Sequence, residues 1–222
     1  MEELLKGLGS QLILTEEEQV ESRIPEEAWS GSNLDTELIL VGRVLVKKDI
    51  NVEALERTMS LVWSPVKGIE VKKIGDGRFL FMFRHKYDRQ KALSEGPWSF
   101  DKNLIVLNTI GELDNPRSVN LDWNEFHVHV SGIPFTKMNR AMAVHIGDCL
   151  GRLIGKEKRD YVTKPIRRLL KLKSDQGDTI VVTFQYERLS NFCYFCGKMD
   201  HISSACEKQY DFPPEEREGK LS

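Results

Sequence analysis

Apolar and polar positions along this chain repeat in two periods, and the changes between them mark its elements. Residues 38–46 form a short apolar run of strand type. Asn51 then stands where a helix cap is favoured, and Val52, Leu55, Met59 and Val62 follow on one helical face. Residues 69–74 and 78–84 flank Gly75-Asp76-Gly77 and read as a hairpin. Residues 88–95 predict a short helix stopped by Gly96-Pro97, and residues 104–110 a further strand. The order is β-α-β-β-α-β, a split-βαβ, ferredoxin-like arrangement.

The stretch 112–122, with Asn115-Pro116, reads as a linker, after which a second unit begins. Residues 125–132 alternate as a strand broken by Ile133-Pro134. Asn139 can cap a helix with Met142, Ile146, Cys149, Leu150 and Leu153 on its apolar face. Cys149 is expected to be buried there. Two strand-like runs follow, 161–172 and 179–187, joined by the turn Ser174-Asp175-Gln176-Gly177-Asp178. Alternation in the first puts Lys164, Ile166, Arg168, Leu170 and Leu172 on one face. Arg167, Leu169, Lys171 and Lys173 fall on the other, so one face is largely basic. His127 and His129 share a strand face and are expected to be structural or solvated.

At the C-terminal end, Cys193, Cys196, His201 and Cys206 have the spacing C-x2-C-x4-H-x4-C. Three thiolates and one imidazole suit tetrahedral Zn2+. A redox dithiol would sit at a helix start after a strand, and a disulfide would leave an odd cysteine. With four protein ligands the site has no open position for water, so the zinc is expected to be structural. This is the spacing of a zinc knuckle, a module that binds single-stranded nucleic acid. Tyr194 and Ile202 offer faces for an unstacked base, and Lys198 a phosphate contact; Phe195 is expected to pack.

Charge sharpens that expectation. The net charge is only -2, but residues 1–35 carry nine acids against Lys6 and Arg23. In this acidic arm, Leu4, Leu5, Leu8, Leu12 and Ile13 recur at near-helical spacing. Residues 151–190 carry ten bases against five acids, directly ahead of the knuckle, where a phosphate backbone needs them. With 40% hydrophobic residues a true core is expected, and no apolar run has the length of a membrane span. Four cysteines, three in a metal pattern, suit a reducing compartment, nucleus or cytoplasm.

The first sheet lacks the aromatics of an RNA-recognition motif. With Gly77 on the motif glycine, Arg78 and Leu80 occupy the stacking positions, and Phe79, Phe81 and Phe83 face the core. Nucleophile-elbow, phosphate-loop and HExxH signatures are absent from the sequence, so neither an enzyme nor a small-molecule substrate is expected.

Residues 40–45, 55–63, 79–83, 96–100, 130–134 and 192–206 together resemble a plant family in which a domain of unknown function precedes such a knuckle. That family is similar to the first-frame nucleic-acid-binding proteins of LINE-type retrotransposons. The resemblance implies zinc and nucleic-acid binding, a transposon origin and no enzymatic activity. Knuckles usually carry glycine before the histidine; Asp200 replaces it here and brings negative charge near the expected nucleic-acid face.

The expected chain is α+β. It comprises an acidic arm (1–35), a ferredoxin-like domain (36–111), a linker (112–122), a second α/β unit (123–190), the knuckle (191–208) and a tail (209–222). The expected function is zinc-dependent binding of single-stranded RNA or DNA, the alternative a protein-interaction or self-association module.

Overall fold

The computed structural model describes residue 15 and residues 20–29, 34–151 and 165–213. Residues 4–13 with their near-helical spacing, Leu153 of the expected helix, and residues 161–164 of the expected strand with Lys164 lie outside them; residues 165–168 of that expected strand are not strand. The chain divides into two units, Met1–Leu34 and Asp35–Ser222. Among its described residues the first holds one short helix, Glu26–Trp29. All that follows concerns the second, which is mixed α+β with two antiparallel sheets.

The larger sheet is built around β1 (Ile39–Val44), which pairs antiparallel with β3 (Arg78–Phe83) and β5 (Asn103–Thr109). Edge strands β2 (Ile69–Gly75) and β4 (Trp98–Phe100) complete the order β2-β3-β1-β5-β4. The β-α-β-β-α-β order holds, with β4 as an extra three-residue strand.

Helices α1 (Val52–Trp63) and α2 (Lys86–Ser94) contribute to one core of this sheet. Asn51 Oδ1 accepts from the Ala54 amide at 2.8 Å and caps α1, as its side-chain chemistry predicts. Leu55, Met59 and Trp63 recur at helical spacing and are buried against Phe79, Phe81 and Phe83. The Trp63 ring meets Phe81 edge-on at 5.2 Å. Helix α2 starts two residues before its expected first turn, because His85 Nδ1 accepts from the Tyr87 amide at 3.1 Å and serves as the cap.

The opposite face of the same sheet is also covered. Val41, Leu45, Leu104 and Val106 form a second core with Val119 and Leu121 from the stretch after β5, and with Met199 from far along the chain. Arg78 Nη1 donates to the Val119 carbonyl at 2.6 Å, and Leu80 packs against this core. The surface that carries stacking aromatics in an RNA-recognition motif is therefore an interior here.

The smaller sheet has the order β6-β8-β7, formed by β6 (Val128–Ser131), β7 (Leu169–Lys173) and β8 (Thr179–Tyr186). Its inward residues Val130, Leu170, Leu172, Val182 and Phe184 pack with Ile146 of α3 (Arg140–Leu150). Asn139 caps α3 by accepting from the Met142 amide at 2.9 Å. The outward positions of this sheet stay open: Leu169, Lys171, Lys173, Val181, Thr183 and Gln185 are exposed.

Gly42 shows how tight the double covering of β1 is. A methyl group there would lie 2.6 Å from the Phe81 ring and 2.7 Å from Leu107 Cδ2. Replacing Gly42 with Ala is expected to overpack the strand and lower the unfolding free energy by about 1–3 kcal/mol. Equilibrium urea denaturation checks this, and an unchanged midpoint would show that the strand can yield.

Candidate metal centre

Backbone geometry alone brings the four predicted ligands together. The chain turns tightly at Gly197, whose φ of +78° favours glycine. The Gly197 amide donates to the Cys193 carbonyl at 2.7 Å, and the Cys193 amide to the Lys198 carbonyl at 2.7 Å. A second, short 3-10 turn, Ser203–Ala205, delivers Cys206. The Tyr194 amide donates to Ser203 Oγ at 2.9 Å and ties the two turns together.

The thiols of Cys193, Cys196 and Cys206 and a ring nitrogen of His201 all lie within 4.8 Å of one another. Tetrahedral zinc with thiolate bonds of about 2.3 Å sets ligand sulfurs about 3.8 Å apart, so the donor set and its spacing fit zinc. Cys193 and Cys206 are fully buried, which shields the metal side of the site. Burial pushes the Cys193 thiol up, but hydrogen bonds from the Cys196 and Phe195 amides and from neighbouring sulfurs outweigh it and bring it down to about 7. Cys196 is pushed up to about 11 by burial and by the adjacent Cys193. A cation entering the cluster would replace these protons.

Asp200, the departure from the usual glycine, has a clear partner. Its Oδ1 lies 2.6 Å from His201 Nδ1, while His201 Nε2 faces Cys196 Sγ at 3.4 Å. A proton on Nδ1 donated to the carboxylate leaves the Nε2 lone pair for the metal and fixes the ring. Its adjacency to His201 in the sequence is the signal for this role.

The site is not a freely hanging module. Met199, between ligands Cys196 and His201, is 3% exposed and sits in the second core with Val41, Leu104 and Val106. Phe192 and Leu189 pack against the same cluster. The Asn191 amide donates to the Lys102 carbonyl at 2.7 Å, and Arg188 Nη1 to the Glu95 carbonyl at 2.7 Å. On the other side, the Ile166 amide donates to the Gly197 carbonyl at 3.0 Å. A Cβ on Gly197 would come within 2.9 Å of Pro165, so glycine serves this close approach as well as the turn.

That contact organises the predicted basic residues. Arg167 and Arg168 follow Ile166 directly, are exposed, and lead into β7, where Lys171 and Lys173 point outward. Lys171 pairs with Val181 and Lys173 with Thr179, so the outward lysines line one edge of the smaller sheet. Of the predicted base-contact residues, Tyr194 and Ile202 are each about half exposed, and Lys198 is half-buried. Phe195 packs edge-on against Phe212 at 5.4 Å, as expected. His129 is exposed, with Nε2 2.6 Å from Glu187 Oε1, and His127 is exposed too. Cys149 departs from expectation. It is only half-buried, its Sγ 3.9 Å from His145 Nε2 one turn earlier, because the α3 face at Ile146 takes the centre of the core.

Comparison with protein families finds two matches. Residues 32–110 match the family model described as a domain of unknown function (DUF4283), and residues 161–208 match the model described as a zinc knuckle. The second match takes in β7 and β8 as well as the four ligands. No curated protein matches the chain. Among the described residues no helix is long and apolar enough to cross a membrane.

Two outcomes follow from this geometry. Changing Asp200 to Ala is expected to lower zinc affinity about 10- to 100-fold, measured by competition with a chromophoric chelator. Changing Met199 to Ala is expected to keep the metal yet cost about 2–5 kcal/mol, with faster amide exchange at Val41 and Val106. Unaltered exchange in the sheet would mean that the metal centre folds independently.

Proposed function

We propose that this chain, which carries a domain of unknown function (DUF4283) ahead of a C-terminal zinc knuckle, binds single-stranded RNA or DNA with little sequence preference. Zinc held by Cys193, Cys196, His201 and Cys206 is structural in this reading, and the chain performs no catalysis of its own. Tyr194 and Ile202 present apolar faces to unstacked bases. Arg167, Arg168, Lys171 and Lys173, with Lys198, neutralise phosphates. The N-terminal sheet serves as a ferredoxin-like scaffold whose second face is given over to holding the knuckle. By its resemblance, the chain descends from LINE-type retrotransposon first-frame proteins of plants and works in the nucleus or cytoplasm.

The observation that carries this reading is the Ile166–Gly197 hydrogen bond at 3.0 Å. It joins the basic strand to the first turn of the knuckle, so phosphate contacts and base contacts lie in one continuous path. A protein-docking or self-association reading also has support, because among the described residues β7 is an edge strand with one side unpaired.

Binding of a fluorescent single-stranded RNA across a salt series decides between them. Each neutralised phosphate contributes about -0.7 to the log–log salt slope, so four exposed cations are expected to give about -3. Replacing Lys171 and Lys173 together with Ala should flatten that slope by about 1.4. Cys196→Ser should weaken binding further by releasing the knuckle. Zinc-loaded protein that fails to bind even at low salt would overturn the reading and leave protein docking.

A further inference from the structure

Just after β6, which runs away from the knuckle side of the smaller sheet, one exposed turn combines features that the basic strand lacks. It runs from Pro134 to Met138 and contains the 3-10 turn Phe135–Lys137. Phe135 is 88% exposed, more than any other large hydrophobic residue described, and Met138 is 61% exposed. The turn is held by its own backbone: the Lys137 amide donates to the Pro134 carbonyl at 2.8 Å and the Met138 amide to the Phe135 carbonyl at 3.2 Å. Ile133 on one side is packed into the third core, and Asn139 on the other caps α3. An ordered turn thus keeps an aromatic ring in water, with Lys137 and Arg140 exposed on either side.

Sheet register fixes where this turn stands. Strands β6 and β7 both pair antiparallel with β8, so they run in the same direction, but β6 stops first: its last residue Ser131 and Leu169 at the start of β7 both stand opposite Thr183. Gly132, at φ +92°, lies so close to β8 that a Cβ would come within 2.5 Å of the Val181 carbonyl, and Val181 is the partner of Lys171. The chain therefore leaves the sheet near the level of Lys171, short of Lys173, and two strands or about 10 Å across. Within β7, from Leu169 to Lys173, the strand covers about 13 Å.

We propose that Phe135 is a second base-stacking site, which holds the far end of a single strand whose near end lies on the knuckle. This rests on the nucleic-acid reading above and adds an anchor to it. Affinity for single strands comes from a basic track together with aromatic faces, and the sheet between the two ends carries Lys171 and Lys173 but no aromatic outward. Asp175 and Asp178 sit in the β7–β8 turn just past Lys173, so charge alone would favour a phosphate little there. Stacking on Phe135 and Met138, with Lys137 and Arg140 as flanking cations, supplies what charge does not. The backbone of the turn is already held by its own hydrogen bonds, so little backbone freedom is lost when a base covers the ring.

The test uses the full zinc-loaded chain and oligouridylates of about 4 and about 16 nucleotides. Phe135→Ala is expected to weaken binding of the long oligomer about 5- to 150-fold, with no change in salt slope, since stacking releases no counterions. The short oligomer, bound at the knuckle end, should lose little. Phe135→Trp should restore the affinity. Circular dichroism and thermal melting should be unchanged in both variants because the side chain is in solvent. Wild-type affinity for both oligomers in Phe135→Ala would overturn the proposal while leaving the nucleic-acid reading intact. A loss that Trp does not restore would also overturn it, as would one accompanied by a lowered melting temperature. If the wild type binds neither oligomer, the parent reading itself fails.

Discussion

A β-sheet that is apolar on both faces has to be covered twice. Strand β1 imposes this condition on the whole second unit. Leu40 and Val44 point to one side, Val41 and Leu45 to the other, and all four are buried. Helices α1 and α2 contribute to the first core. The second cover is assembled from distant pieces: Val119 and Leu121 from the stretch behind β5, and Met199 from inside the metal loop. Burying a methionine in full is worth about 1.5–3 kcal/mol, a sizeable share of the stability of a domain this size. The metal loop is therefore part of the architecture of the sheet.

Much of this was legible in the sequence. Alternation at Phe79, Phe81 and Phe83 gave the core face of β3, and the polar caps Asn51 and Asn139 gave two helix starts. Cysteine and histidine spacing gave the ligand cluster, because short-range ligand geometry is a local property. What was missed depends on contacts across long stretches of chain. Strand β4 is three residues long and starts directly after Pro97, too short for a period to register. Met199 reads as an ordinary loop residue until the sheet face opposite the helices is seen to need a cover. The sheet-face argument from Arg78 and Leu80 correctly predicted the lack of stacking aromatics, but only the structure shows what occupies that face. Asp200 was weighed by its charge, whereas its position next to His201 matters more.

The arrangement also separates two tasks that a recognition sheet usually combines. In an RNA-recognition motif one open sheet both supports the fold and stacks bases. Here the larger sheet is closed on both sides and the smaller one is open, with lysines instead of aromatics on its outward face. In the proposed function the aromatic contacts lie at the knuckle and at the turn after β6, and the phosphate contacts along β7.

The closure of the larger sheet by Met199 also sets an order of events on the ribosome. Every strand of that sheet has been made once residue 109 has been added, but one of its faces waits for a side chain some ninety positions later. At synthesis rates of about 5–20 residues per second, that interval is roughly 5–20 s. For that time the nascent sheet presents Val41, Leu104 and Val106 to its surroundings, a surface of the kind that chaperones and neighbouring chains bind. The metal, entering last, would then complete a fold begun at the other end of the chain.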